Sequence, residues 1–216
     1  MKESLVIIGA RGHAVSVANV ALSCGMNVLA CVDDNKAGSK VMEIPVISKK
    51  QCLQEFPSQN YAIAIGDNAI REKVYIEYKE DCPQAKFPAL IHKSSVLGIG
   101  SSVGDGAIIM PLVNVGPSSI IGSFCLLNTG SSIDHDCVMN KFSSLAPRVV
   151  CGGDVKIGIR SAISIGATVQ HNIRIGADVV IGGNSYVNKS LDSNLVAYGS
   201  PCKKIRVRQK GDPYLD

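Results

Sequence analysis

Tryptophan is absent from the 216-residue chain, and aromatic residues together make up only 5% of it. Charge is also sparse, at 19% against 46% hydrophobic residues, which excludes a disordered chain. No apolar run approaches the roughly 20 residues of a membrane-spanning helix, so no membrane insertion is expected. Met1, Lys2 and Glu3 lead directly into a strand-like run, without the apolar core and cleavage site of a secretion signal. None of the eight cysteines forms a C-x-x-C pair, and no His–Cys spacing suits a metal. The expectation is a cytoplasmic protein with reduced thiols and no metal. The formal charge of +4 is mild, and basic residues gather only at Lys203, Lys204, Arg206, Arg208 and Lys210. That pattern favours a solvated C-terminus over a nucleic-acid partner.

What is abundant is glycine, at 21 residues, and a second half rich in Val, Ile and Ser. Both point to many short strands and tight corners. The first half reads differently. Residues 5–8, 28–32 and 61–65 are strand-like runs. Between and after them lie helical patterns over 13–24 (Val17, Val20, Ala21 and Cys24 on one face), 49–56, and 70–78 (Ile70, Val74 and Tyr78). Residues 89–91 close this half. The alternation predicts a small Rossmann-like α/β unit, a parallel sheet with covering helices.

After His92 the period changes. Every sixth residue from Leu97 to Val187 is apolar, sixteen positions without a gap. At an apolar frequency near one half, chance gives this roughly once in tens of thousands of trials. A second column four residues later, Ser101 to Ser185, is small except at Ile173. This is the hexapeptide signature of a parallel β-helix. Each six residues form one flat face with two inward side chains, and three faces form an 18-residue coil. The expected organisation is residues 1–92 as the α/β unit, 93–198 as the β-helix and 199–216 as a tail.

Three loops follow strand ends in the first half, where open parallel sheets bind ligands. The first holds Gly9, Ala10, Arg11, Gly12 and His13, between a strand and a helix, where backbone N–H groups can meet a phosphate. The others hold Asp33 and Asp34, and Gly66, Asp67 and Asn68. In the second half, Ile133 and Cys137 belong to the inward columns, so Asp134, His135 and Asp136 lie outward or at a corner. An outward His beside carboxylates is a candidate general base. Gly153 follows 18 residues later and stacks on His135 in the next coil, about 4.8 Å away. A base beside a bare backbone donor is what acyl transfer needs. His171, another 18 residues on, is expected to line a wall, and His92 to be structural. No Cys has the partners of an activated nucleophile.

These segments carry a resemblance over nearly the whole chain. The protein resembles the sugar acetyltransferases of the sialic-acid O-acetyltransferase type, and most of all the PglD-like UDP-4-amino-sugar N-acetyltransferases. The matching stretches are residues 8–13, 32–34, 62–71, 127–129 with 133–137, and 199–203. The resemblance implies a left-handed β-helix, a homotrimer, and acetyl-CoA as co-substrate lying between adjacent subunits. It implies a nucleotide-linked amino sugar held by Gly9, Arg11, Gly12, His13, Asp33, Asp34, Gly66 and Asn68. It casts His135 as base, Asp136 as its orienting carboxylate, Gly153 as oxyanion donor, and Gly153, Ile165 and Gly183 as coenzyme contacts. Three features depart from the family pattern. Asp136 stands where Glu is common, Arg11 replaces a small residue, and residues 212–216 run past the usual end. Two other readings stay open: O-acetylation of a free sugar, which needs no nucleotide pocket, and a silent scaffold, which binds no acetyl-CoA.

Overall fold

The computed structural model describes residues 3–215; Met1, Lys2 and Asp216, the outermost residues of the leader and tail expectations, lie outside them. The first half contains β1 (Ser4–Ile8), α1 (Gly12–Ser23), β2 (Asn27–Val32), a 3-10 turn at Asp34–Lys36, β3 (Lys40–Val41), β4 (Ile44–Ile47), α2 (Lys49–Glu55), β5 (Asn60–Ile63) and α3 (Asn68–Asp81). The strand order is β3-β4-β2-β1-β5, parallel except for β3. β2 and β5 therefore flank β1 on opposite sides. The C-terminal ends of β1 and β5 border the crevice where the winding changes direction, the usual ligand site of such sheets.

Two features of this half escaped the sequence pattern. The β3–β4 hairpin turns at Met42 and Glu43, both with positive φ (47° and 62°), without the Gly or Asn that normally announces such a turn. The face of α3 also differs from the expected Ile70–Val74–Tyr78 stripe. Ile70 is half exposed, whereas Asn68, Arg71 and Tyr78 are buried. The reason is that α3 packs through hydrogen bonds at its start and aromatic rings further along, described below.

From Leu90–Ile91 to Tyr186–Val187, seventeen two-residue strands stack into three parallel sheets of a left-handed β-helix. The register is 18 residues: Ser132 pairs with Val150 and Ile133 with Cys151. The inward columns are buried from Ala107 and Ile109 to Ser185 and Val187. Each inward Ile, Leu or Val contributes on the order of 1.5–3 kcal/mol on burial. Most of the column serines return their hydroxyls to corner carbonyls, as Ser119 does to Asp134 O at 2.8 Å. A third column of period six lies at the corners. Leu112, Ser118, Phe124, Asp136, Phe142, Arg148 and their successors have φ near +55 to +60°. These left-handed residues turn the chain from one face to the next.

Both ends of the β-helix extend beyond the six-residue pattern. Leu90–Ile91 pairs with Ile108–Ile109, so this segment starts the coils instead of closing the first half. Residues 195–207 are not a free segment. Leu195–Tyr198 adds to the sheet beside Val180–Ile181, and Lys203–Val207 pairs antiparallel with it, its backbone bonded and its side chains exposed. No described helix is long and apolar enough to cross a membrane.

Candidate active site

The three faces of the coil meet at three edges, and each edge carries different chemistry. The first edge lies between Ser132–Ile133 and Val138–Met139 and displays His135. Asp136, turned by its φ of 59°, brings its Oδ2 to 2.7 Å from His135 Nδ1. Asp134 Oδ1 accepts from the His135 backbone N–H at 2.8 Å. The hydrogen bond to Asp136, then the charge of Asp134, holds the imidazole above its ordinary pKa of 6.5. With Nδ1 tied to a carboxylate, Nε2 is the nitrogen left for a substrate proton. The assignment follows from the partner, since ring protons are inferred from hydrogen bonding.

Gly153 stands directly against that nitrogen. A Cβ at Gly153 would lie 2.6 Å from His135 Nε2 and 2.7 Å from Cε1. The stack is held by Asp154 N donating to His135 O at 2.9 Å and Asn172 N donating to Gly153 O at 2.9 Å. The Gly153 N–H itself has no acceptor among the described residues. The edge thus offers a base and a free backbone donor side by side. Lys156, which sequence reasoning missed, braces it: its Nζ donates to Asp136 O at 3.1 Å and pairs with Asp154 Oδ1 at 2.8 Å. The only sequence signal was a lysine at an outward position one strand beyond Asp154. His171 continues the same edge, exposed, with its backbone against Gly152.

The second edge docks the first half of the chain. Arg71, 2% exposed, donates to Phe124 O and Phe142 O on the coils, to Ile65 O and Gly66 O, and to Asn68 Oδ1, at 2.6–3.0 Å. Tyr75 packs on Phe124 and Phe142, whose rings stack at 5.0 Å. Arg160 joins Glu72 of α3 to Asp178 in the next coil. Asn68 was expected to face a ligand. Instead it is buried, donating to Arg160 O and Ser161 O at 3.1 and 3.2 Å and accepting from Arg71. Its side chain fastens the two halves and does not reach the crevice.

The remaining predicted residues lie just after the C-terminal ends of β1, β2 and β5. Gly9, at φ 115°, brings β1 close to β5: a Cβ there would lie 3.0 Å from Ala64 O. Gly12 opens onto free space. Arg11 is exposed and precedes α1 without a side-chain cap, so the first N–H groups of that helix keep no side-chain partner. His13 Nε2 is buried without a partner. Burial, then the Arg71 charge, pushes its pKa down to about 4, so the ring is neutral. Lys36, also missed from sequence, reaches Ala10 O at 3.0 Å and adds a cation beside the loop. The two carboxylates are partly committed: Asp33 caps Asn35 N at 3.0 Å, and Asp34 accepts from Lys49 N at 2.8 Å. Gly66 O accepts from Arg71 and from the Tyr214 hydroxyl at 3.2 Å.

The third edge lies between Ala162–Ile163 and Thr168–Val169. There the exposed Ile165 and Gly183 stack, with Ile165 O 3.3 Å from a Cβ placed on Gly183. Within one chain this pair is on a different edge from His135 and Gly153.

Residues 4–78 match the family model described as the PglD N-terminal domain. Over 192 residues the chain is 30% identical to a GDP-perosamine N-acetyltransferase of Escherichia coli, covering 85% of each. It superposes on PerB from Caulobacter crescentus, solved with CoA and GDP-perosamine, with a TM-score of 0.87, 32% identity and coverage of 94% and 97% of the two chains. The acetyltransferase domain of PglB from Neisseria gonorrhoeae, solved with acetyl coenzyme A, gives a TM-score of 0.88 at 27% identity, covering 95% of this chain and 100% of that one.

Proposed function

The chain belongs to the PglD-like family of acetyl-CoA-dependent sugar N-acetyltransferases, and on that premise we propose that it acetylates the 4-amino group of a nucleotide-linked 4-amino-4,6-dideoxy sugar. The observation that carries the chemistry is Gly153 lying against His135 Nε2. The amine nitrogen attacks the thioester carbonyl carbon directly. His135 Nε2 takes the proton as the C–N bond forms, and the Gly153 N–H holds the oxyanion. Collapse breaks the C–S bond, and the proton passes from His135 to the departing sulfur. Asp136 orients the ring and stabilises it while protonated. A sugar amine with pKa about 8 is neutral often enough at neutral pH for a base this weak.

The nucleotide is assigned to the crevice between β1 and β5. Its diphosphate meets the open N-terminus of α1, with Arg11 and Lys36 as flanking cations, and the neutral His13 faces the sugar side. The sequence resemblance pointed to a UDP sugar, while PerB was solved with GDP-perosamine. Both are amino sugars on a nucleoside diphosphate, so the diphosphate assignment is the same for either. Residues 1–92 would carry this binding and residues 93–198 the transfer. The separation of the edges supports a homotrimer. Threefold packing of parallel prisms sets the Ile165–Gly183 edge of one chain against the His135–Gly153 edge of the next, giving acetyl-CoA a groove with two walls.

The test is a panel of UDP-, dTDP- and GDP-linked 4-amino sugars with acetyl-CoA, followed by CoA release, for the natural chain and His135→Ala. Loss of about 10²–10⁴-fold in turnover is expected for the variant, with its oligomeric state retained. Near-normal turnover would remove His135 from the role of base. Acetylation of free sugars alone would replace the nucleotide-sugar reading.

A further inference from the structure

The last described residues do not trail into solvent. They return to the strand-end crevice, 146 residues away in sequence. The Tyr214 hydroxyl donates to Gly66 O at 3.2 Å and accepts from Asn68 N at 3.1 Å. Leu215 then extends over Gly66, where a Cβ would lie 3.0 Å from Leu215 Cδ1. The segment leading there is fastened at several points. Gln209 N donates to Asp212 Oδ2 at 3.0 Å, and Arg206 pairs with the same carboxylate at 3.3 Å. Arg208, 3% exposed, donates to Asp212 O and lies 3.9 Å from Asp178 and 5.6 Å from the Tyr214 ring centroid. Lys210 approaches Glu72 of α3 at 3.8 Å.

These contacts divide the crevice. At the start of α3, Asp67 accepts from Ala69 N and Ile70 N, and Tyr214 accepts from Asn68 N. All three leading N–H groups of α3 are therefore taken, and that helix offers nothing to a phosphate. The uncapped start of α1, across the crevice, is the anion side. The side next to β5 is left with Leu215, a large apolar side chain 62% exposed above a glycine. An apolar group held over the C-terminal end of a strand, with no packing partner covering it among the described residues, fits the face of a nucleoside base.

We propose that residues 209–215 form one wall of the nucleotide pocket, with Tyr214 as the positioning residue and Leu215 in contact with the nucleoside. The inference rests on the nucleotide reading of the crevice. It assigns the diphosphate to the α1 side and the nucleoside to the tail side. It makes the tail a determinant of nucleotide affinity and leaves acetyl-CoA untouched.

The experiment compares the natural chain with Leu215→Ala and Tyr214→Phe. It measures GDP and UDP binding by calorimetry, KM for the accepted nucleotide sugar, KM for acetyl-CoA, and Tm. Leu215→Ala is expected to weaken binding of the preferred nucleoside diphosphate and raise the sugar-nucleotide KM by about tenfold. Acetyl-CoA KM and Tm should stay unchanged. Tyr214→Phe should weaken nucleotide binding in the same direction, even if Tm falls. Unchanged nucleotide affinity in both variants overturns the proposal, as does tighter binding or faster turnover, which would mark the tail as an obstruction. If the natural chain binds GDP or UDP, and Leu215→Ala weakens that binding, the wall stands even when no sugar on the panel is acetylated. If sugars are acetylated and both variants behave like the natural chain, the wall fails while the function stands.

Discussion

Substituting Gly153 by alanine tests the catalytic pair more sharply than removing His135. The added methyl would stand 2.6 Å from His135 Nε2, where ordinary contacts begin near 3.4 Å, so the ring must retreat by about 0.8 Å. The side chain of His135 is 58% exposed, so it can swing outward at little cost to folding. Swinging breaks or lengthens the 2.7 Å bond between Nδ1 and Asp136 and carries Nε2 away from the reacting amine. A misplacement approaching 1 Å costs about 10²-fold in rate. Crowding the adjacent N–H adds part of the 10²–10³-fold associated with losing an oxyanion donor. A fall in kcat of about 10²–10⁴-fold is expected, with Tm unchanged and the sugar-nucleotide KM within a few-fold. Stopped-flow or steady-state CoA release reads the first, and differential scanning calorimetry the second. A Gly153→Ala enzyme retaining more than a tenth of the natural kcat would refute the pairing. So would a large fall in Tm, because the glycine would then be serving the coil and not the chemistry.

Two further perturbations follow from the hydrogen bonds. His135 works as a base only when neutral, and the Asp136 bond is the first cause raising its pKa above 6.5, so the acid limb of kcat should lie above that value. In Asp136→Asn the pKa falls and the limb moves to lower pH, while the plateau drops by about tenfold or more because the base is weaker and less well oriented; a limb that stays in place would dissociate it from His135. Arg71→Met removes the Arg71 donor from the Phe124, Phe142 and Ile65 carbonyls and from Asn68 Oδ1, while Gly66 O keeps the Tyr214 hydroxyl. Chemical denaturation should show a loss of about 3 kcal/mol or more, and an unaltered midpoint would show that the aromatic rings, Asn68 and the Arg160–Glu72 pair dock the first half without it.

The β-helix was readable because its core is an arithmetic series: one missed column position would expose a large side chain or bury a mismatch. Its ends were less readable. Leu90 and Ile91 fit an apolar strand of either half, and only the pairing with Ile108 and Ile109 decides between them. The corner column stayed hidden because its left-handed backbone is imposed by stacking and not by residue type. Phe124, Phe142 and Arg160 occupy it alongside glycines and aspartates. The docking edge was unreadable for a related reason. Arg71 looks like a surface residue of an amphipathic helix, and only the carbonyls exposed at the coil corner make its burial tolerable. Asn68 was misread because a strand-end asparagine can serve a ligand or an interface, and the sequence does not contain the Arg160 and Ser161 carbonyls as neighbours.

The site holds one relation that the sequence did contain in full. In an 18-residue coil, residues 18 apart share an edge, and residues 12 apart never do. His135, Gly153 and His171 form one series, and Ile165 and Gly183 another, displaced from the first by 12. The observed faces place them accordingly. If His135 is the base and Ile165 and Gly183 contact the coenzyme, they cannot close around a single acetyl group within one prism, because the packed core lies between them. The same counting puts Phe124, Phe142 and Arg160 on the second edge, which the first half of the chain covers. Two edges then remain for neighbours. A closed ring of three chains uses both in every subunit, each His135 edge meeting an Ile165 edge, whereas a dimer leaves one of each unmatched. The stoichiometry of the active assembly, measured by light scattering alongside acetyl-CoA binding, is therefore a test of the catalytic assignment: a fully active monomer would mean that the coenzyme contacts lie on the His135 edge itself.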